Sequence, residues 1–463
     1  MKKDHASITY FENILDTIGK TPLVRLRHVT DDARGLILAK VEQFNPGGSV
    51  KDRIGFNIID EAEREGRLKP GGTIVESTSG NTGLGLALVA VVKGYKSVFT
   101  LPDKMSIEKI RLLRAFGAEV IITPTAVPHE SPESYTEVAK RIVRETPNAI
   151  LANQYYNPRN PESHYNSTGP EIWEQTAGQI THFVCGIGTG GTISGTGKFL
   201  KEKNRNIKII GVDPKGSTLR EYFYTRKVTP VLKTYKVEGI GQDYIPGTLH
   251  FEYVDEVVEA NDKESFLMAR RLTREEGILS GGSAGTAVAG LMKVAGRFTD
   301  DDVVVVLLPD SGERYLSKIY NDDWMRENGF LIPERISARY VVEAKGKKPV
   351  SMIAIDPGAT VRKALELMRE HDISQLPIIE NGLSVGSAND HELMTRVMEN
   401  ASLVDAPIRD VMSPGFPRVD IDSPLDEIIK LMTVKKNAAV LLEKDALISG
   451  ILTRYDVIEF MGK

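Results

Sequence analysis

The sequence predicts an α/β protein that carries a second, smaller α+β module at its C-terminal end. Between residues 35 and 309, short β-rich segments alternate with longer helical patterns, which is typical of parallel sheets covered by helices. Beyond about residue 335 the chain repeats itself, and this indicates a duplicated structural unit. With 463 residues, of which 41% are hydrophobic and 26% charged, the chain is long enough to bury several cores.

The strands of the first part are predicted from runs of β-branched and apolar residues bounded by glycine, proline or polar residues. Each run is followed by a stretch long enough for a helix, so the strands are expected to lie parallel. In chain order the predicted strands cover residues 36–39, 73–76, 97–100, 120–122, 182–185, 207–212 and 303–308.

The alternation of strands and helices stops after residue 318. Residues 330–348 are basic, irregular and interrupted by glycine and proline, which favours a linker over a regular element. We therefore predict a first domain over residues 1–335 and a second over residues 336–463.

The second domain contains two copies of one pattern. Met368 recurs as Met432 and Gly386 recurs as Gly450, and both pairs are 64 residues apart. Each copy is predicted to contain a strand, an amphipathic helix, two strands and a second helix, over about residues 347–402 and 406–463. Two such copies would bury their apolar faces against each other and form one compact module.

Charge and composition exclude several classes of function. The 59 basic and 63 acidic residues nearly cancel and form no basic stripe, so a nucleic-acid partner is not expected. No apolar run approaches the length of a membrane span or a signal segment, which predicts a soluble, cytoplasmic protein without a membrane partner. Cys185 is the single cysteine and lies in an apolar run, so we expect a buried core residue, no disulfide and no metal site.

Three segments carry a chemical signal when they are taken together. Lys51 lies in the run 45–53, the predicted strand 73–76 leads into a polar loop over 77–83, and a glycine-rich loop at residues 188–192 opens a helix. Such a loop can hold a phosphate at the positive end of a helix. The same loop also fits a dinucleotide fingerprint, with Asp213 about twenty residues further on. A nicotinamide enzyme would leave Lys51 and the 77–83 loop without a role, so pyridoxal 5'-phosphate is the favoured cofactor.

Ser311 follows the last predicted strand of the first domain, where loops of α/β sheets usually bind ligands. It could cap the next helix or face the ring nitrogen of the cofactor. A neutral hydroxyl there would leave the ring a weaker electron sink than an aspartate would, which favours expulsion of a β-substituent.

Over essentially its full length the chain resembles the bacterial cystathionine β-synthases of the fold-type II pyridoxal-phosphate family, whose motifs it carries in order. The resemblance implies two open parallel-sheet subdomains followed by a tandem CBS (Bateman) module. Lys51 would form the Schiff base and act as the catalytic residue. The other implied cofactor contacts are Asn81, Gly188, Thr189, Gly190, Gly191, Thr192 and Ser311, and the implied substrate contacts are Thr78, Ser79, Asn81, Thr82, Gln154, Tyr155 and Gly239.

The implied reaction joins L-serine and L-homocysteine to give L-cystathionine and water. Lys51 would remove the α-proton of serine and help the hydroxide to leave. Cysteine synthases, which use O-acetylserine and sulfide, share the same core motifs and remain an alternative, as does release of hydrogen sulfide from cysteine. The motifs at 211–217, 237–243 and 281–285 and the C-terminal repeat favour the cystathionine enzyme. A ligand sensor with a vestigial catalytic half is the non-enzymatic alternative.

The C-terminal repeat resembles the nucleotide-binding motif that bears the name of the same family. Thr453 and Asp456 would hold an adenosine ribose in the second copy, although they also suit the first turn of a helix. Asn389 and Glu392 replace them in the first copy, so one functional cleft is expected. S-adenosylmethionine is the first candidate ligand and ATP or AMP the alternative. The expected site residues are Ile373, Ser374, Gln375, Leu376, Thr453 and Asp456.

The resemblance also sets expectations for haem and for assembly. Animal members carry an N-terminal haem segment with cysteine and histidine ligands, whereas the single cysteine of this chain lies in the predicted core. We therefore expect no haem. A homodimer or a higher homo-oligomer is expected from the resemblance alone.

Overall fold

A computed structural model describes residues 9–461 except for 79, 104, 106, 125–126, 128–130, 229–233, 332–335, 345–351, 435–436 and 445–446. The chain divides into two compact units, Met1–Leu331 and Ile332–Lys463. In the part of the chain that the structure describes, no helix is both long and apolar enough to cross a membrane.

The first unit is built on two sheets, as predicted for an α/β protein. A six-stranded sheet has the order β1-β2-β10-β7-β8-β9, and a four-stranded sheet has the order β5-β4-β3-β6. Every neighbouring pair is parallel except β1 and β2, which are antiparallel. The strands are β1 (Leu23–Arg25), β2 (Leu36–Val41), β3 (Thr73–Ser77), β4 (Lys96–Pro102), β5 (Glu119–Thr123), β6 (Ala149–Leu151), β7 (His182–Gly186), β8 (Lys208–Pro214), β9 (Glu256–Ala260) and β10 (Val303–Leu308).

Helices connect these strands, because parallel neighbours cannot be joined by a tight turn. The helices of the first unit are α1 (Lys51–Arg64), α2 (Asn81–Lys93), α3 (Ile107–Ala115), α4 (Tyr135–Glu145), α5 (Arg159–Asn166), α6 (Thr168–Gln175), α7 (Gly191–Lys203), α8 (Leu219–Thr225), α9 (Asp262–Glu275), α10 (Gly282–Val294) and α11 (Asp322–Glu327).

Strand β10 shows how the six-stranded sheet is buried on both faces. Val304 and Val306 belong to one hydrophobic cluster with α10, while Val305 and Leu307 belong to another with β7 and α7. This alternation follows from the two-residue period of a strand. An uninterrupted run of valine and leucine in a parallel strand is therefore explained by two apolar neighbours, one on each side of the sheet.

The second unit contains the predicted duplication. Helix α13 (Val361–Glu370) and strands β11 (Gln375–Glu380) and β12 (Leu383–Asn389) precede α14 (Asp390–Glu399) in the first copy. The matching elements of the second copy each begin 64 residues later, as Leu425 does after Val361. They are α15 (Leu425–Thr433), β14 (Ala439–Lys444), β15 (Leu447–Thr453) and α16 (Arg454–Met461), preceded by β13 (Arg418–Asp420).

A helix that the sequence did not predict, α12 (Ala338–Ala344), precedes the first copy yet packs against the second. Its Ala338 and Val341 are fully buried in one cluster with Leu425 and Ile428. The segment 330–348 was predicted to be irregular because it is basic and interrupted by glycine and proline. Tertiary packing of this apolar face stabilises α12 where local propensity does not.

Candidate active site

The segment that precedes Lys51 is hydrogen-bonded to the segment that follows β10. The N–H of Val50 donates to the carbonyl of Pro309 at 2.8 Å, and the N–H of Ser311 donates to the carbonyl of Gly48 at 3.3 Å. Strands β10, β7 and β2 are parallel neighbours, so their carboxyl ends open at one edge of the sheet. Loops at this edge of an α/β sheet are the usual place for a ligand site.

Lys51 is the first residue of α1, and its side chain is only partly exposed. Burial lowers the pKa of Lys51 to about 8, although nearby Cys185 and Asp310 act in the opposite direction. Within the described residues, no acceptor forms a hydrogen bond or ion pair with its amino group. The amine can therefore be neutral in part near neutral pH, which is the form that attacks a carbonyl. Cys185 is buried and unpaired, as predicted for a core residue.

Asn81 begins α2 and is held by two residues that sequence reasoning missed. Its Nδ2 donates to Asp310 at 2.8 Å, and its Oδ1 accepts from Arg314 at 2.6 Å. The Tyr315 hydroxyl donates to the same oxygen of Asp310 at 2.6 Å. These contacts fix the rotamer of Asn81 and leave one of its amide hydrogens for a ligand. The two contacts of Asn81 join residues more than two hundred positions apart, so no local pattern in the sequence could have revealed them.

The glycine-rich loop connects β7 to α7, and its glycines are packed too closely for side chains. A β-carbon on Gly188 would lie 2.6 Å from the carbonyl oxygen of Gly239. Gly190, the N-cap of α7, has a φ of +86°, in the left-handed region that favours glycine. The first N–H groups of a helix lack acceptors within the helix, so the start of α7 suits an anion such as a phosphate.

The rival interpretation of this loop as a dinucleotide site assigns Asp213 to a ribose. In the structure Asp213 is buried, and its carboxylate accepts a hydrogen bond at 2.8 Å from the N–H of Arg220 in the same connection. Burial raises the pKa of Asp213 to about 7. The side chain therefore already stabilises its own loop, and this weakens the dinucleotide interpretation.

Thr78, Thr82 and Gln154, three of the predicted substrate residues, follow two adjacent strands of the four-stranded sheet, β3 and β6. The Thr82 hydroxyl donates to Oε1 of Gln154 at 2.6 Å, and the hydroxyl of buried Thr78 accepts from the N–H of Gly80 at 3.1 Å. Buried Glu76 on β3 accepts from the N–H groups of Asn153 and Gln154 at 2.6 and 3.3 Å. Three of the predicted carboxylate ligands are thus held near the end of β3, whereas Ser79 lies outside the described residues.

The other two predicted substrate residues, Tyr155 and Gly239, lie beside and within the 237–243 motif. The rings of Tyr155 and Tyr244 are 5.8 Å apart, and burial raises the pKa of Tyr155 above its usual range, so its phenol stays neutral. Gly239 has a φ of +84°, and a β-carbon there would meet no atom within 4 Å. It therefore borders open space.

Glu238 precedes Gly239 and pairs with Lys109 and with Lys318, the latter at 2.6 Å. Burial opposes its ionisation, but the two ammonium groups lower its pKa below the usual range. The ion pairs join α3, the 237–243 motif and the segment after β10. Glu238 is therefore a fixed carboxylate at the edge of the site.

Ser311, the predicted partner of the ring nitrogen, donates its hydroxyl hydrogen to Glu313. A second serine, Ser283, is buried in the first turn of α10. Its carbonyl oxygen lies 3.7 Å from the position of a β-carbon on Gly186, the last residue of β7. No acceptor for the Ser283 hydroxyl is found among the described residues. The motif 281–285 could have drawn attention to this serine, but it was used only to separate related families.

In the C-terminal unit, Thr453 and Asp456 bond to each other across the start of α16. The N–H of Thr453 donates to the carboxylate of Asp456 at 2.7 Å, and the N–H of Asp456 donates to the Thr453 hydroxyl at 3.3 Å. This is a capping arrangement. The predicted residues Ile373, Ser374, Gln375 and Leu376 lead into and begin β11, where the carbonyl of Ser374 accepts from the N–H of Asp390 at 3.3 Å.

No metal site is evident among the residues that the structure describes. Across the described positions, no group of three or more histidine, cysteine, aspartate or glutamate side chains is placed to hold an ion.

Comparison with protein families first places the chain in a class. The family described as pyridoxal-phosphate dependent enzyme matches residues 14–310, and the CBS domain matches residues 346–399 and 408–463. A solved structure described as a hydrogen sulfide-producing enzyme from Fusobacterium nucleatum has a TM-score of 0.61 and 36% identity, covering 67% of this chain and 99% of that chain. The class is thus that of the pyridoxal-phosphate dependent enzymes, with the two-sheet fold that the sequence predicted.

Comparison with individual proteins identifies the family within this class. Cystathionine beta-synthase of Dictyostelium discoideum is 41% identical, over 98% of this chain and 92% of the relative. The cystathionine beta-synthase of Saccharomyces cerevisiae is 36% identical over the full length of both chains. A cysteine synthase of Staphylococcus aureus is 44% identical but covers only 66% of this chain. The chain belongs to the cystathionine beta-synthase family, and the resemblance found from the motifs is confirmed.

Proposed function

We propose that the protein condenses L-serine with L-homocysteine to form L-cystathionine and water, with pyridoxal 5'-phosphate as its cofactor. The observation that carries the proposal is the arrangement of residues at one edge of the six-stranded sheet. There Lys51, an amine of lowered pKa, follows a loop that is hydrogen-bonded to the segment after β10. The neighbouring parallel strand β7 ends at the same edge and leads into α7, whose N-terminus suits a phosphate. The full-length similarity to cystathionine beta-synthases, with the duplicated module included, supports the choice of substrates.

The residues present fit this cofactor. The glycine loop at the start of α7 leaves backbone N–H groups for a phosphate, and Asn81 keeps one amide hydrogen for a ring oxygen. When bound, pyridoxal 5'-phosphate supplies an aldehyde for an imine and a conjugated ring that acidifies the α-hydrogen of an amino acid.

Lys51 would hold the cofactor and later act as the acid-base group. In its neutral form it can take the proton from the α-carbon of serine. The same ammonium group can then give a proton to the departing hydroxide, which is a poor leaving group without such help. As the thiol of homocysteine adds at the β-carbon, the neutral Lys51 would take the thiol proton and deliver it to the α-carbon.

Thr78, Thr82 and Gln154, together with Ser79, would bind the carboxylate of serine. Thr82 donates its hydroxyl hydrogen to Oε1 of Gln154 in the structure, and this leaves an amide hydrogen of Gln154 for an incoming anion. The carboxylate of Glu76 accepts a hydrogen bond from the N–H of Gln154 and fixes the end of this strand. Tyr155 and Gly239 would then line the substrate site.

Two serines are candidates for the hydrogen bond to the ring nitrogen of the cofactor. Ser311 was inferred from its place after β10, but its hydrogen is used by Glu313. Ser283, whose carbonyl oxygen lies near the last residue of β7, has a hydroxyl for which no acceptor is found among the described residues. Separate Ser311→Ala and Ser283→Ala variants decide between them. The true partner is the one whose loss shifts the absorption maximum of the bound cofactor.

A product assay tests the main proposal against its closest alternative. Purified protein loaded with pyridoxal 5'-phosphate is given serine and homocysteine, or O-acetylserine and sulfide, and the products are separated. We expect cystathionine from the first pair. Cysteine from the second pair without any cystathionine would instead identify a cysteine synthase. Hydrogen sulfide released from cysteine would support the third reaction.

For the C-terminal unit we infer an adenosyl ligand, held by Thr453 and Asp456 with residues 373–376. The support is the match of both copies to the CBS domain and the position of the pair at a strand-to-helix junction. A thermal-shift titration with S-adenosylmethionine, ATP and AMP tests this. No shift with any of them would remove the sensing function. Cytoplasmic location, absence of haem and a homodimer remain predictions.

A further inference from the structure

Helix α5 presents two buried polar side chains to the phosphate loop, and the proposed reaction has not yet given either a role. Asn160 and His164 are four residues apart and therefore lie on one face of the helix. Both are fully buried. Their face meets α7 closely, since a β-carbon on Gly195 would lie 1.9 Å from the carbonyl oxygen of Pro161.

Asn160 contacts the first threonine of the loop. Its Nδ2 donates to the carbonyl of Gln154 at 2.7 Å and to the hydroxyl of Thr189 at 3.0 Å. The contact with a carbonyl fixes the orientation of the amide, because only the nitrogen can donate there. Asn160 thus connects the substrate loop to the phosphate loop.

His164 contacts the second threonine of the loop. Its Nε2 lies 3.2 Å from the hydroxyl of Thr192, and its Nδ1 lies 2.9 Å from the hydroxyl of Thr168 at the start of α6. Burial, with smaller contributions from Lys51 and Arg53, holds the pKa of His164 well below its usual range. The imidazole is therefore neutral and carries one N–H.

The position of that single hydrogen matters for the loop. If it were on Nδ1, the Thr192 hydroxyl would donate to Nε2 and turn its lone pairs towards the phosphate. If it is on Nε2, Thr168 donates to Nδ1, His164 donates to Thr192, and the Thr192 hydrogen is free to donate to an anion.

We propose that Thr168, His164 and Thr192 form a hydrogen-bond chain that directs the Thr192 hydroxyl towards the phosphate monoester of the cofactor. His164 and Thr168 are positioning residues, because they act only through Thr192. The inference rests on the proposed function, since it needs a phosphorylated cofactor in this loop.

The test compares two ligands that differ only in the phosphate. The affinity of the cofactor-free protein is measured by fluorescence for pyridoxal 5'-phosphate and for pyridoxal. In His164→Leu we expect the affinity for pyridoxal 5'-phosphate to fall about tenfold, as for loss of a hydrogen bond to a charged group, and the affinity for pyridoxal to stay unchanged. His164→Gln, whose amide can donate from a similar position, should recover most of the loss.

Thr168 supplies a matched pair of variants. Thr168→Val keeps the shape but removes the hydroxyl and should repeat the phosphate-specific loss, whereas Thr168→Ser should not. Nitrogen NMR of labelled histidine should also report the neutral Nε2–H form of His164. An equal loss for both ligands, unchanged affinities or an Nδ1–H form would overturn the chain.

Failure of the proposed function has a different signature. In that case the unaltered protein would bind pyridoxal 5'-phosphate no better than pyridoxal, before any variant is made.

Discussion

Two strand-to-helix junctions of this molecule use their polar groups in opposite ways. At the junction of β7 and α7, the N-cap is a glycine, and the neighbouring hydroxyls are supported by α5. At the junction of β15 and α16, Thr453 and Asp456 satisfy each other. Apart from the N–H of Gly191, which donates to the Thr189 hydroxyl at 3.4 Å, the first junction therefore leaves its backbone donors to an anion. The second junction uses its polar groups to begin a helix.

This difference teaches what distinguishes a built ligand site from a motif. At the α7 junction the polar groups are held from outside by residues distant in sequence. At the α16 junction they are held by their immediate neighbours. A ligand of the α16 junction must therefore compete with, or extend, a cap that stabilises the free protein.

The largest expected effect concerns Lys51, since chemistry should be confined to the first junction. Lys51→Ala should lower the formation of cystathionine by about 10³-fold or more, because both the covalent link and the acid-base group are lost. It should also remove the visible absorption of the cofactor bound through this lysine. Lys140→Ala, at an exposed lysine paired with Glu137, is the control and should be active. Retained turnover in the Lys51 variant would favour the vestigial-enzyme hypothesis.

The second prediction uses one glycine from each junction. A methyl group on Gly191 would lie 1.9 Å from Oδ1 of Asn160, whereas one on Gly450 would have its nearest neighbour, Leu442, at 3.9 Å. We expect Gly191→Ala to weaken cofactor binding by about ten- to a hundredfold, in line with the cost of overpacking. Gly450→Ala should change the free energy of unfolding by less than about 0.5 kcal/mol. Equal tolerance at the two sites would contradict the close packing of the phosphate loop.

The third prediction follows from the lowered pKa of Lys51. Only the neutral amine reacts with an aldehyde, so capture of pyridoxal 5'-phosphate by the cofactor-free protein should accelerate about tenfold per pH unit below the pKa. The rate should level off above about pH 8. Stopped-flow absorbance at several pH values measures it. A rate that keeps rising to about pH 10 would mean that Lys51 has the pKa of an ordinary lysine.

The smallest effect is expected at the second junction. Thr453→Ala removes a cap and should cost about 1 kcal/mol of stability in the C-terminal unit, measured by chemical unfolding. Asn389, which accepts from the N–H of Glu392 at 3.2 Å, occupies the same position in the first copy, and Asn389→Ala should cost a similar amount. Only the Thr453 variant should lose the thermal shift caused by S-adenosylmethionine. Loss in both, or in neither, would mean that the two copies do not differ as proposed.

The sequence was sufficient to predict the features that depend on local pattern. Strand and helix alternation, the 64-residue duplication and the position of the glycine loop all follow from periodicity and residue type. Asp310, Asn160 and His164 were not predicted, because their roles arise from contacts between distant parts of the chain. Helix α12 was missed for a related reason, since its partner lies about ninety residues further on.

The packing of α12 also determines where this protein can be shortened. Ser337 forms a β-bridge with Pro424, and the N–H of Ala338 donates to the carbonyl of Ser423. The guanidinium of Arg339 donates to both carboxylate oxygens of Asp422, at 2.6 and 2.8 Å. A catalytic fragment that ends after α12 would expose the apolar face of an orphaned helix. A regulatory fragment that begins after α12 would open the interior of its last repeat. The boundary between the two fragments should therefore be placed before residue 336, so that α12 stays in the C-terminal fragment.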